Sequence, residues 1–161
     1  MVLLACISVP VDMKPDPSFG LLTQHAQGWV VWWTAIRPRT LSIAATPVML
    51  GSTLAWSDGA APSWLTLLAT LACALLIQVG TNLHNDVADF ERGTDRPDRV
   101  GPLRVTAAGW VRPGQVLSAA RFSFGLALIL GLYLVAQGGW PILVAGLASL
   151  LAGWSYSGGA R

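Results

Sequence analysis

Charge is what this sequence has least of. Only 11% of its 161 residues are Asp, Glu, Lys or Arg, where a soluble domain carries about 25%. With 53% hydrophobic residues, the deficit falls in long apolar runs, which excludes an ordinary soluble domain and points to an integral membrane protein. The net charge of +2 is too small to suggest a nucleic-acid partner. Lysine is nearly missing: nine of the ten basic residues are Arg, which reads as codon bias rather than function. The two cysteines, Cys6 and Cys73, lack the spacing of a disulfide framework or a metal site. The N-terminus has no basic stretch ahead of its apolar residues, so the lipobox-like Leu3-Leu4-Ala5-Cys6 is not read as a signal. Residues 1–28 are expected to be a variable, proline-punctuated leader and residues 29–161 the domain. Acid is missing too: after Asp98 the chain contains no Asp or Glu.

What is present is a set of apolar segments. Four are expected to cross the membrane: Thr34 to Trp56, Pro62 into the stretch "NLHNDVADFERGTD", Pro113 to Gln137, and Pro141 to Tyr156. Each approaches the ~20 residues that a bilayer core demands, the fourth being somewhat short. Pro38, Pro62, Pro113 and Pro141 sit near helix starts, where a missing N–H costs little. Pro47 is expected to kink the first span. "SDGAAP" and "QGGWP" are tight connections, and only the link over residues 84–112 is long. The fold class is therefore all-α, an integral membrane bundle of four transmembrane helices.

Arginines orient it. Lys14, Arg37, Arg39, Arg92, Arg96, Arg99, Arg104, Arg112, Arg121 and Arg161 all fall on one side of a four-span chain. The excess of positive charge places both termini and the 84–112 link in the cytoplasm, with the chain multi-pass in the plasma membrane. Trp56, Trp64 and Trp140 would mark the outer interface; Trp29, Trp32, Trp33, Trp110 and Trp154 would mark the inner one.

The end of the second span carries chemistry. Gln78, Asn82, Asn85 and Asp89 are spaced i, i+4, i+7, i+11 and share one helical face, with Asp86 beside it. A carboxylate at the centre of a membrane helix costs about 2.5–3.5 kcal/mol, so this face should look onto a protein cavity near the membrane surface. The negative end of the helix dipole adds to Asp86, Asp89 and Asp95. Two cations could answer that potential. One reading is a salt-bridge network with Arg92, Arg96, Arg99 and Arg104. The other is Mg²⁺ on hard carboxylate and amide oxygens, leaving the arginines to grip a phosphate-bearing ligand.

At these residues the sequence resembles the UbiA-type intramembrane prenyltransferases. Asn85-Asp86-x-x-Asp89 matches the core of their first aspartate-rich motif. The run "QVGTNLHNDVADFERGTDRPDRVGPLRVTAAG" resembles the branch that prenylates 1,4-dihydroxy-2-naphthoate in menaquinone synthesis. "RPRTL" at Arg37 and "GWSYSGG" at Gly153 resemble that branch as well, so the similarity covers about residues 33–161. One departure concerns spacing. Where the superfamily often has a third Asp four residues after the second, this chain has Gly93, and Asp95 follows two later.

The resemblance implies Mg²⁺-dependent transfer of a polyprenyl group from polyprenyl diphosphate to 1,4-dihydroxy-2-naphthoate, with decarboxylation. By it, Asp86 and Asp89 are catalytic metal ligands and Asp95 a third. Asn82 and Asn85 would orient metal and phosphate, and Arg92, Arg99 and Arg104 would clamp the diphosphate. Arg37 would either contact the acidic acceptor or anchor its helix at the interface. It further implies the first half of a roughly nine-helix fold, with the lipid bilayer as setting. Because no acid follows Asp98, the second aspartate-rich motif of that family is absent, and the chain is expected to be an N-terminal half inactive alone. Two other classes compete: an ion-coupled transporter, which would need charged partners at the midplane, and a non-catalytic membrane protein, which would not need the NDxxD face.

Overall fold

The computed structural model describes residues 28–61, 63–94 and 103–158. Among these it contains five helices: α1 (Trp29–Ile36), α2 (Pro38–Ser57), α3 (Trp64–Glu91), α4 (Pro113–Gly138) and α5 (Trp140–Gly158). The all-helical expectation holds, and the third and fourth expected segments reappear as α4 and α5 within two residues at each end. α3 is the central element, contacting all four of the others.

The first expected segment is not one helix. The chain breaks between α1 and α2 at Arg37, whose φ of 56° and ψ of 70° place it in the left-handed region. Pro38 explains the position of the break: its ring disfavours the right-handed helical conformation for the residue before it. Pro38 then opens α2 and Pro113 opens α4, each at a helix's first turn. Ser63 caps α3 by accepting from the Thr66 amide at 3.3 Å.

Glycines stop the chain in three places by the same device. After α2, the Ala60 amide donates to the Ala55 carbonyl and the Gly59 amide to that of Trp56, with Gly59 at φ 88°. After α3, Thr94 donates to Asp89 and Gly93 to Phe90, with Gly93 at φ 63°. These crossed pairs around a left-handed glycine form the Schellman motif, which satisfies the last carbonyls of a helix. The third instance closes the short turn 104–109 that precedes α4: Trp110 donates to Val105 and Gly109 to Thr106, with Gly109 at φ 70°.

By length and composition, two helices are suited to cross a membrane, α3 and α4. Only 11% and 17% of their most apolar windows are buried inside the protein, which leaves those surfaces for lipid. α5 is apolar but shorter, and α2 is diluted by Ser, Thr and Gly. At 28 residues, α3 is about 42 Å long against a hydrocarbon core of about 30 Å. A crossing counted from its N-terminus would use about 20 residues of α3 and leave its last two turns beyond the core. The buried core sits at this projecting end, where Val31, Ala35, Leu83, Val87, Val105, Val116 and Ala120 pack together.

Candidate functional site

The projecting end of α3 carries the polar face, and tertiary packing divides it in two. Its upper part serves the α1–α2 break. Asn82, 7% exposed, donates through Nδ2 to the Ile36 carbonyl and to the Thr40 hydroxyl oxygen, both at 2.8 Å. Its Oδ1 accepts from Gln78 Nε2 at 3.3 Å. The break at Arg37 ends the hydrogen-bond ladder of α1, and Asn82 takes up the Ile36 carbonyl left there. Arg37 itself is half-buried beside it.

The lower part meets the 104–109 turn. Asp86 is 0% exposed. Its carboxylate accepts from the Val105 amide at 3.1 Å, from the Thr106 amide at 3.3 Å and from the Thr106 hydroxyl. That hydroxyl also lies 3.2 Å from the Asp86 carbonyl oxygen. A turn that begins at Arg104, whose carbonyl accepts from Ala108 at 2.9 Å, leaves its first amides without helical partners. A carboxylate facing them satisfies both at once. One helical turn later, Asp89 forms an ion pair with Arg104. The Arg104 guanidinium also donates to the Asn85 carbonyl at 2.8 Å. It therefore sits on the last turns of α3, where the helix dipole favours a cation. Arg104 is 6% exposed, whereas the Asp89 side chain keeps 19% of its surface open.

Of the residues singled out from sequence, Asn85, Asp86, Asp89 and Arg104 are thus brought together. Asn82 instead reaches the chain on either side of Arg37, at the Ile36 carbonyl and the Thr40 hydroxyl. Arg92 is exposed at the C-cap of α3. Asp95 and Arg99 lie outside the described residues. Both readings of the positive partner bear on this arrangement: the arginine pairing is present at Asp89–Arg104.

A hard divalent cation finds oxygen donors of the right chemistry at Asp89 and Asn85, which share a face four residues apart and keep some exposure. Asp86 fits it poorly, since its oxygens already accept three hydrogen bonds and reach no solvent. Among the described residues, no three His, Cys, Asp or Glu side chains gather as a ligand set.

Three residues lie within the runs quoted above but were not singled out from the sequence. Thr106, buried at 3% exposure, and Thr40 act through partners distant in the chain. His84 stacks on Trp154 of α5, ring centroids 4.2 Å apart, and Phe124 of α4 meets the same indole edge-on at 5.9 Å. His84 faces away from the Asp86 side of α3 and ties the helix end to α5.

This arrangement stands in a chain whose residues 44–161 match the model of the UbiA prenyltransferase family. Three relatives each carry the name 1,4-dihydroxy-2-naphthoate octaprenyltransferase. The Bacillus subtilis protein is 36% identical over 129 residues, covering 80% of this chain and 41% of the relative. The Mycobacterium tuberculosis protein is 38% identical and the Escherichia coli protein 34%, each match covering 81% of this chain and 44% of the relative. The chain belongs to the UbiA prenyltransferase family. It spans less than half the length of the curated relatives it matches. No solved structure matches it.

Proposed function

We propose that this chain supplies the donor-diphosphate part of an intramembrane prenyltransferase of menaquinone synthesis. In this reading a polyprenyl group, octaprenyl in the named relatives, passes from its diphosphate to 1,4-dihydroxy-2-naphthoate. The allylic C–O bond breaks and diphosphate leaves with the electron pair. A ring carbon of the naphthoate forms the new C–C bond, and the ring carboxyl departs as carbon dioxide.

The observation that carries the reading is the convergence of Asn85, Asp89 and Arg104 at the projecting end of an apolar helix. A prenyl diphosphate has the matching shape: an apolar tail for the bilayer side and a polyanion for the helix end. Mg²⁺, the cation this reading assigns, would be held by Asp89, Asn85 and Asp95, and when bound it neutralises the leaving diphosphate. Arg104 presents a planar fork of donors suited to phosphate oxygens, with Arg92 and Arg99 assigned the same task. The tail would lie along the apolar part of α3, which limits the water that reaches the allylic cation. Arg37, beside the α1–α2 break, is assigned to the acidic acceptor.

The test is equilibrium binding of radiolabelled geranylgeranyl diphosphate to the chain in nanodiscs, with Mg²⁺ or with EDTA. Binding should fall at least tenfold when Mg²⁺ is withdrawn and likewise in Asp89→Asn. Equal binding in EDTA and in Asp89→Asn would overturn the proposal.

A further inference from the structure

We infer that Asp86 is a positioning residue rather than a cation ligand: its carboxylate caps the 104–109 turn and so sets Arg104 against Asp89. This rests on the prenyltransferase reading of the same site. An ionised carboxylate offers about four lone-pair directions. At Asp86 three donors take up three of them, the Val105 amide, the Thr106 amide and the Thr106 hydroxyl. The carboxylate is fully buried, as is Val105, whose amide it accepts from, both at 0% exposure. A cation could reach it only by displacing the turn.

The turn is built to be held this way. Its far end is closed by Gly109 in the left-handed region, with Trp110 donating to Val105 at 2.9 Å. At its near end the first two amides, of Val105 and Thr106, are taken by Asp86. Arg104 immediately precedes the two captured amides, so the carboxylate fixes the backbone from which the guanidinium projects. That guanidinium then returns to α3 at the Asn85 carbonyl and Asp89. Two acids three residues apart on one helix thus hold the same loop, Asp86 by its backbone and Asp89 by its arginine. The chemistry demands an acid at the first position. Asparagine offers one acceptor oxygen and would turn an NH₂ towards a second N–H donor. Glutamate would push an extra methylene into a closed site.

The experiment compares Asp86→Asn, Thr106→Val and Asp89→Asn with the parent chain in nanodiscs. Three quantities are read: backbone amide exchange over residues 103–112, Mn²⁺ affinity by spin resonance, and affinity for geranylgeranyl diphosphate. Asp86→Asn and Thr106→Val should each speed exchange of the 105 and 106 amides at least tenfold. Both should keep Mn²⁺ affinity within threefold while weakening the diphosphate tenfold or more through the misplaced Arg104. Asp89→Asn should lose Mn²⁺, and with it the diphosphate, while the amides stay protected. Loss of Mn²⁺ in Asp86→Asn with 105 and 106 still protected would overturn the inference. Should Asp86→Asn not fold, Thr106→Val decides alone, because it loosens the cap without touching an acid. If the parent binds neither probe, the prenyltransferase reading falls and exchange alone decides: faster exchange in Thr106→Val upholds the cap, unchanged exchange refutes it.

Discussion

Asn82 shows how a residue chosen for one reason turns out to act for another. Its place on the polar face marks it for metal or phosphate, yet both of its amide protons are committed to the α1–α2 break, at Ile36 and Thr40. Arg37 is the only non-glycine residue with positive φ among those described, a conformation costing about 1–2 kcal/mol. The surrounding bonds must hold it there. Asn82→Ala should therefore destabilise the chain by about 1–3 kcal/mol, the cost of leaving a buried carbonyl unpaired. Asn82→Asp should be worse than Asn82→Ala, because a carboxylate would face the Ile36 carbonyl with no proton to give. Unfolding of the detergent-solubilised chain by SDS titration checks both; equal stability of the two variants would refute the pairing. The choice of an amide at this position was legible in sequence, but its partner, 46 residues away, was not.

Glycine decides how closely the helices approach. A Cβ on Gly80 of α3 would stand 3.0 Å from the Phe124 ring of α4, and one on Gly153 of α5 would stand 2.7 Å from the Thr81 hydroxyl. Gly80→Val should cost about 1–3 kcal/mol by overpacking, against a helix-propensity gain of well under 1 kcal/mol. Phe124→Leu should restore much of the loss in the double variant, and additive losses in the same SDS titration would count against direct contact. The closing glycine of the 104–109 turn gives a second test. Gly109→Ala has open space for its methyl group but a backbone at φ 70°, so about 1–2 kcal/mol of local stability should go. Exchange over residues 103–112 should rise while the rest of the chain stays protected. At this scale much was readable beforehand: prolines at helix starts and the exits of α4 and α5. The break at Arg37 was missed, since a proline at a helix start says where one helix begins and not that another ends just before it. Gly93, a departure in the spacing of the acidic motif, has its reason here too: it is the left-handed residue that ends α3, where Thr94 donates back to the Asp89 carbonyl.

Taken as a whole, the molecule pairs an apolar middle that packs loosely with a polar end that packs tightly. The core residues gather around the last turns of α3, the start of α4 and the 104–109 turn. The apolar windows of α3 and α4 expose most of their surface, and Trp56, Trp64 and Trp140 stand open at helix ends. If α3 crosses once, the α2–α3 turn and the α3 exit lie on opposite sides of the bilayer. In a cysteine-free background, Ser57→Cys should react with an impermeant maleimide from outside intact cells. Thr94→Cys should react only after the cells are permeabilised. Labelling of both from the same side would refute the single crossing. Length and composition suit two helices to crossing; the four-span count and the cytoplasmic placement of the termini are further expectations that the labelling series extends to α4 and α5.

The sequence by itself determined the apolar segments, the ends of α4 and α5, and the gathering of amides and acids on one face of α3. Those properties are local: apolar length, 3.6-residue periodicity, proline and glycine placement act within a few residues of one another. Only the tertiary structure decided what each polar atom faces. Asp86 meets amides 19 and 20 residues downstream, and Asn82 meets a carbonyl from another helix. Hydrogen-bonding groups carry no label for a distant partner, so two acids three residues apart read alike until the chain is folded. Folding then closes one over backbone and leaves the other partly open beside an arginine.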